Sequence, residues 1–454
     1  MIKPMKHPHR LALVATIVGS GITFLDGTVV NLALPSISKD LGASFSQLQW
    51  MADAYLLSLS SLILLGGSMG DIFGRKKMFL FGLYGFGGLS LLCGLAPNSE
   101  ILILFRLLQG VFGALLVPGS LAIINTNFPS EGRGRAIGLW SAFSGAFTAI
   151  GPLIGGYLID AASWRWIFYI NVPLILLCII LTTLGVKETK DVEHRHIDTI
   201  GMIVAALSLA GITYGLIEGP VNHWKLGSVA PLFAGLLLAN TFLIIEKNTK
   251  DPLVPLGLFK SRNFSGSNLM TFAMYGALSG FMFALVIYLQ SKMHYSAIKA
   301  GLSLLPVTVL MLALSGRMGA LSSKAGPRRF MTLGPILAGL GILSLTNLHP
   351  GDSYLMFLLP RVILFGLGLV TTVAPLTTTV MSSVPNEDSG IASAINNAVS
   401  RVGGLFVVAV LGLLGTEHVF KFSMVLSGVL AISAGAISYL TIQNPKKLVE
   451  KAHN

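Results

Sequence analysis

The chain has 454 residues, 53% of them apolar and only 11% charged, with a mean hydropathy of +0.76. Soluble chains carry about 25% charged residues, so a soluble enzyme, a disordered protein and a nucleic-acid module are excluded. The net charge of +12 does not restore nucleic acid as a partner, because the basic residues collect in loops on one side of a lipid bilayer. The composition is that of an all-α polytopic membrane protein.

A helix in lipid satisfies its own backbone over about 20 apolar residues. Fourteen such runs follow in chain order. The first seven are 11–33, 48–69, 78–96, 101–124, 136–158, 166–185 and 199–217. The rest are 227–245, 264–289, 298–316, 330–348, 354–374, 391–414 and 422–442. The first run follows a basic N-terminus, as a signal peptide does. It lacks a small-x-small cleavage site and contains Asp26 and Asn31, so it is read as a retained helix. Cys93 and Cys178 lie inside apolar runs and read as packing residues, not as a disulfide or metal ligands.

Loop charges set the orientation. One side collects Lys3, Lys6 and Arg10; Arg75, Lys76 and Lys77; Arg133 and Arg135; Lys187, Lys190 and Arg195. Further along, the same side holds Lys247, Lys250, Lys260, Arg262, Arg317, Lys324, Arg328, Arg329, Lys446, Lys447 and Lys451. The other side has only Lys39, Arg165, Lys225, Lys292, Lys299 and Lys421. The expectation is a multi-pass protein of the cytoplasmic (inner) membrane with both termini in the cytoplasm.

The chain repeats itself. GSMGDIFGRKKMF (67–79) aligns with GALSSKAGPRRFM (319–331), so that Gly67 meets Gly319, Gly74 meets Gly326, and Lys76 and Lys77 meet Arg328 and Arg329. LFRLLQG (104–110) returns loosely as LPRVILFG (359–366), and FPSE (128–131) as VPNE (384–387). The predicted organisation is an N-terminal six-helix bundle (1–190), two inserted linker helices (191–250) and a C-terminal six-helix bundle (251–454). Twinned bundles that rock about a shared site are a transporter design.

Several patches resemble the major facilitator superfamily, and within it the fourteen-helix drug/proton antiporter branch of the multidrug efflux type. LDGTVVNLALPSI (25–37) is similar to the first-helix motif of that branch, and GSMGDIFGRKK (67–77) to the superfamily's loop signature. RLLQGVFGA (106–114) and GAFTAIGPLIGG (145–156) resemble the fourth-helix and fifth-helix motifs, and WRWIFYINVP (164–173) the entry to the sixth helix. In the second half, AGLSLLP (300–306) and INNAVSRVGG (395–404) also resemble that family. The resemblance implies the major facilitator fold, two six-helix bundles plus two inserted helices. It also implies a gating role for Gly67, Asp71, Gly74 and Arg75. Asp71 would accept hydrogen bonds from a helix N-terminus of the other half, with Ser323 in its place in the second copy.

Ionisable groups inside spans are functional candidates. Asp26, Asp53 and Arg106 are placed at comparable depth towards the outer leaflet. They are the expected proton-coupling set, with Arg106 balancing the two acids. The alternative is a fixed Asp26–Arg106 bridge, with Asp53 touching outer water. Gly151 and Pro152 interrupt the fifth span. With Gly155 and Gly156 they form a kinked, closely packed antiporter motif. Asn31, Gln109, Arg361, Asn396, Asn397 and Arg401 are candidates for the cavity. Unpaired arginines there favour anions or zwitterions; the alternative is that they bond to backbone carbonyls.

No phosphate-binding loop, metal-ligand cluster or nucleophile triad is found. The chain is therefore read as no enzyme, with no cofactor and no metal, and with the proton gradient as its energy source. The expected function is proton-coupled export of small hydrophobic compounds by alternating access. Its partners are a small-molecule substrate, protons and the bilayer; the need for an accessory efflux protein is unknown. Two alternatives stand beside it: a dedicated exporter of one metabolite, antibiotic or lipid, and a non-transporting sensor or scaffold.

Overall fold

The computed structural model describes residues 7–128, 130–190, 198–250, 252–385, 388–414 and 419–444. Lys3, Lys6, His194, Arg195, His196, Lys446, Lys447 and Lys451 lie outside these, as do residues 191 and 251 at the expected boundaries and parts of the FPSE and VPNE segments. The first helices are α1 (His7–Leu41), α2 (Phe45–Phe73), α3 (Arg75–Leu95), α4 (Ser99–Asn127) and α5 (Ser130–Ala161). Then come α6 (Trp166–Tyr169), α7 (Asn171–Gly185), α8 (Thr199–Val221), α9 (Leu226–Asn248), α10 (Arg262–Ser291) and α11 (Ala297–Ser303). The last are α12 (Leu305–Ala325), α13 (Pro327–Leu343), α14 (Leu359–Ser382), α15 (Ser389–Val410) and α16 (Val419–Thr441).

Thirteen segments among the described residues are long and apolar enough to cross a membrane, with α6–α7 and α11–α12 each counting as one. The remaining sequence-predicted span falls on α5, a 32-residue helix that runs through Pro152. Local chemistry sets the helix ends. Ser44 opens α2 with a capping box to Gln47, and Asn98 caps α4 through the amide of Ile101 at 2.9 Å.

The repeat is visible in the turns. Gly74 (φ +109°) joins α2 to α3, and Gly326 (φ +87°) joins α12 to α13, both in a region that side chains disfavour. Each is followed by a helix start held by a residue far along the chain. Glu188 accepts from the amides of Lys76 and Lys77, and Asn444 accepts from that of Arg328.

Packing follows the same repeat. In the N-terminal group α1 packs on α5 and α7, α4 on α2 and α3, and α3 on α7. In the C-terminal group α10 packs on α15 and α16, α14 on α12 and α13, and α13 on α16. Helices α8 and α9 pack on each other, and α8 also touches α2 and α15. Trp50 of α2 fixes that attachment by donating to Glu218 of α8 at 2.9 Å.

The two groups meet mainly along α2–α15, α5–α11 and α1–α10. The face where α1 begins and α16 ends is called the basic face below. Among the described residues, the hydrogen bonds between the groups lie towards the opposite face. Gln49 donates to the carbonyls of Val408 and Ala409 at 2.6 and 3.2 Å, and Gln290 to that of Leu32 at 2.8 Å.

Candidate functional site

Asp26 and Arg106 meet inside the N-terminal group. The Arg106 guanidinium donates to Asp26 Oδ2 at 2.5 Å and to Gln109 Oε1 at 2.7 Å, and its Nε faces the Met51 carbonyl at 3.3 Å. Arg106 and Gln109 share one face of α4 because they are three residues apart. Gln109 and Asn171 each donate to Asp26 Oδ1 at 3.4 Å. Asn171 also bonds Ser90, and the Tyr55 ring lies 4.3 Å from the guanidinium carbon. Asp26 and Arg106 are each 1% exposed. Taking one partner from a buried ion pair costs about 3–5 kcal/mol, because the other is left charged and alone.

Asp53 is not brought to this cluster. It is fully buried, and among the described residues neither carboxyl oxygen has a hydrogen-bond partner. On α2 it lies between Gln49, which bonds α15, and Leu56, which faces Gly404 of α15. Spacings of four and three residues put Gln49, Asp53 and Leu56 on one helix face. Asp53 therefore stands at the seam between the two halves, shielded from water. Burying a carboxylate there without a partner costs several kcal/mol.

The fifth-helix motif works on two faces. A Cβ on Gly151 would stand 2.5 Å from Thr28 Oγ1 and one on Gly155 2.9 Å from Val29 Cγ1, so these glycines seat α1 within the same half. Gly156 and Pro152 face the other half. A Cβ on Gly156 would lie 2.6 Å from the Ile298 Cα, and one on Gly301 2.4 Å from the Pro152 carbonyl oxygen. One turn beyond Gly156, Asp160 accepts from the amides of Ala297 and Ile298 at 3.0 and 2.8 Å. These are the first amides of α11, where the helix dipole is positive.

At the basic face the loop signature is engaged within its own half. Asp71 bonds Arg75 through Nη2 at 2.6 Å and Nε at 2.8 Å. The Arg75 amide donates to the Thr189 carbonyl, and Gly67 lies against Pro118. No bond from Asp71 to the other half is present among the described residues.

Two of the expected cavity residues are placed elsewhere. Gln109 is fully buried in the ion-pair cluster because Arg106 and Asp26 consume its amide. Arg361 donates to the Ser344 and Phe357 carbonyls at 3.0 and 2.7 Å and covers the Phe357 ring, the carbonyl-bonded alternative. Asn396 donates to Asn268 and Thr271 of α10, and Asn397 to the Ser393 carbonyl. Asn31, Asn396, Asn397 and Arg401 are half-buried. Arg401 reaches from α15 towards α1, with its guanidinium carbon 5.4 Å from the Phe24 ring.

The sequence reading missed Asn171, Asp160, Gln49 and Gln290. Asn171 left a signal, a polar residue inside an apolar run. Asp160, Gln49 and Gln290 sit near span ends, where polarity is ordinary.

Twinned helical groups, closed against each other at one face and each knit by its own buried contacts, are the architecture of a membrane transporter. The sequence model of the Major Facilitator Superfamily matches residues 16–408, and the chain belongs to that superfamily. It is 36% identical over 408 residues to the puromycin resistance protein pur8 of Streptomyces alboniger, covering 89% of this chain and 81% of that one. It is 32% identical over 409 residues to the tetracenomycin C resistance and export protein of Streptomyces glaucescens, covering 90% and 76%. The methylenomycin A resistance protein of Streptomyces coelicolor is 29% identical, covering 97% and 94%. Among solved structures, an inward-facing bacterial homologue of the lysosomal transporter Spinster shares the fold. Its TM-score is 0.70 at 15% identity, with 96% of this chain and 98% of that one covered.

Proposed function

We propose that this chain exports small hydrophobic compounds across the cytoplasmic membrane by alternating access, in exchange for protons. The basic face is then the cytoplasmic one, both termini lie in the cytoplasm, and the described structure is the state closed to the outside. The observation that carries this reading is the set of bonds between the halves, which gather at the face opposite the termini. Relatives named for antibiotic resistance and export support the substrate class.

Asp53 gives the proton a physical role. Closing the α2–α15 seam strips water from this carboxyl and offers it no partner. A charged Asp53 resists closure; a protonated one does not. A proton taken up from outside thus favours the turn towards the cytoplasm. Asp26, with its charge held by Arg106, is the second acid of the set. The proton gradient supplies the energy, with no cofactor.

Proteoliposomes with an imposed pH gradient test this. The wild type should accumulate substrate against its gradient, and adding substrate should release protons. In Asp53→Asn the seam closes whether or not a proton is present, so accumulation should fall by about 100-fold while downhill movement persists. Transport by the wild type that is indifferent to the pH gradient would overturn the proton coupling. A narrower reading, one dedicated and acidic cargo, is favoured by Arg401.

A further inference from the structure

Three arginines lie inside the apolar runs of the sequence, and the structure disposes of two. Arg106 is paired with Asp26, and Arg361 is bonded to two carbonyls. Arg401 has neither kind of partner: among the described residues it makes no hydrogen bond and no ion pair. It sits about 18 Å along α15 from Ser389, at a rise of about 1.5 Å per residue. A guanidinium stays charged there, with five donors to satisfy.

Among the described residues no acid is paired with it. Asp26 is next in sequence to Gly27, the α1 residue Arg401 approaches, yet its carboxylate is turned inward and held by Arg106, Gln109 and Asn171. Asp53 is buried at the α2–α15 seam without any bond. The α1 surface opposite Arg401 is open. A Cβ on Gly27 would meet nothing but Arg401 Nη1, at 3.9 Å. Phe24, Gly27 and Asn31 share one face of α1 by their spacing, and all three are half-buried. Among the described residues Asn31 makes no side-chain hydrogen bond either. An unneutralised guanidinium, an aromatic ring and an unused amide therefore converge between the two halves.

We propose that Arg401 binds an acidic group on the exported compound, a carboxylate carried on an aromatic or alicyclic skeleton. The guanidinium takes the anion through paired N–H donors, Phe24 supports the ring system, and Asn31 serves a further polar substituent. The inference rests on the transport reading above and deepens it. It also separates cargo from proton. The two do not compete for one charge, because the acid that governs closure is on α2 and the anion anchor is on α15, which forms the other side of that seam.

The test is binding of three probes with one skeleton to the purified full-length protein: 2-naphthoate, 2-naphthamide and 2-naphthylmethylamine, followed by calorimetry. The wild type should bind the carboxylate about tenfold more tightly than the amide or the amine. Arg401→Gln should abolish that preference, and Arg401→Lys should keep part of it by retaining charge without the planar fork. A thermal melt of each variant guards against misfolding, and Arg401→Lys keeps the test decisive if Arg401→Gln does not fold. Preference for the amine, or a carboxylate preference unchanged in both variants, would overturn the proposal. Vesicle uptake separates the two readings. Proton-driven transport without anion preference sinks only this inference; anion preference without any transport sinks the export reading.

Discussion

At one face of the molecule Asp160 reaches out of its own half and accepts two amides from α11 of the other. At the basic face Asp71, also at a helix end of the N-terminal group, turns back to Arg75 four residues away. Both are acids suited to a helix N-terminus, and only one has found it. The contrast shows how a two-state bundle is biased. Asp71 has a resident cation to return to when its latch is open. Among the described residues the Asp160 carboxylate makes no bond besides the two across the seam. Opening the seam therefore breaks both bonds of Asp160, an exposed acid, whereas opening the basic face leaves Asp71 paired.

The largest effect is expected at Gly156. Gly156→Val places methyl groups against the backbone of Ile298, which cannot move aside as a side chain can. Overpacking typically costs about 1–3 kcal/mol. Here it falls on one state only, so transport should drop by roughly 100-fold with little change in melting temperature. Gly155→Val is the control, because it presses on Val29 within the same half and should lower the melting temperature instead. Equal effects of the two on melting would contradict the division of this motif between faces. Next comes Asp160→Ala. Hydrogen bonds to a charged group are worth about 1.5–3 kcal/mol each, and solvation of the freed amides returns part of that. A net shift of about 2 kcal/mol towards the open seam corresponds to roughly 30-fold. A cysteine at Gly412, which lies against Gln49, should then react faster with an impermeant maleimide by that order. Unaltered labelling would remove Asp160 from the closure.

Much of this was legible in the residues because lipid leaves the chain few choices. Backbone self-satisfaction fixes helices over apolar runs, so the spans and the repeated turn at Gly74 and Gly326 could be read directly. The Asp26–Arg106 encounter was legible for the same reason, since two opposite charges at comparable depth have every incentive to pair. What depth cannot reveal is rotation about the helix axis. Asp53 lies at the expected level but on the α2 face towards α15, so the meeting of all three charges does not form. Gln109 turns into the ion-pair cluster and Arg361 to its carbonyls, though a polar residue inside a span carries no mark of which neighbour it will face. Asp160 lay beyond the quoted motif at the end of its span, where an acid reads as ordinary surface. Its role depends on a helix start in the other half, distant in sequence.

The smallest effect on stability is expected at Asp71, and it sharpens the comparison most. In the described state its pair with Arg75 is partly exposed, at 21% and 15%. Such pairs contribute about 0–1 kcal/mol, so Asp71→Asn should leave the melting temperature nearly unchanged. Its consequence belongs to the opposite state. When the halves rock, the basic face must shut, and an acid aimed at a helix N-terminus would stabilise that closure by about 0.3–1 kcal/mol when exposed and about 2 kcal/mol when partly buried. Losing it should slow turnover by up to about tenfold and should reduce maleimide labelling of the Gly412 cysteine, because the state open at the Gly412 face becomes rarer. Asp160→Ala moves the same label in the other direction. The double variant should return labelling towards the wild-type level if the two acids act on one equilibrium. If instead Asp71→Asn increased labelling at Gly412, the basic-face acid would be acting against closure of that face, and the opposed-latch account of these two ends would fail.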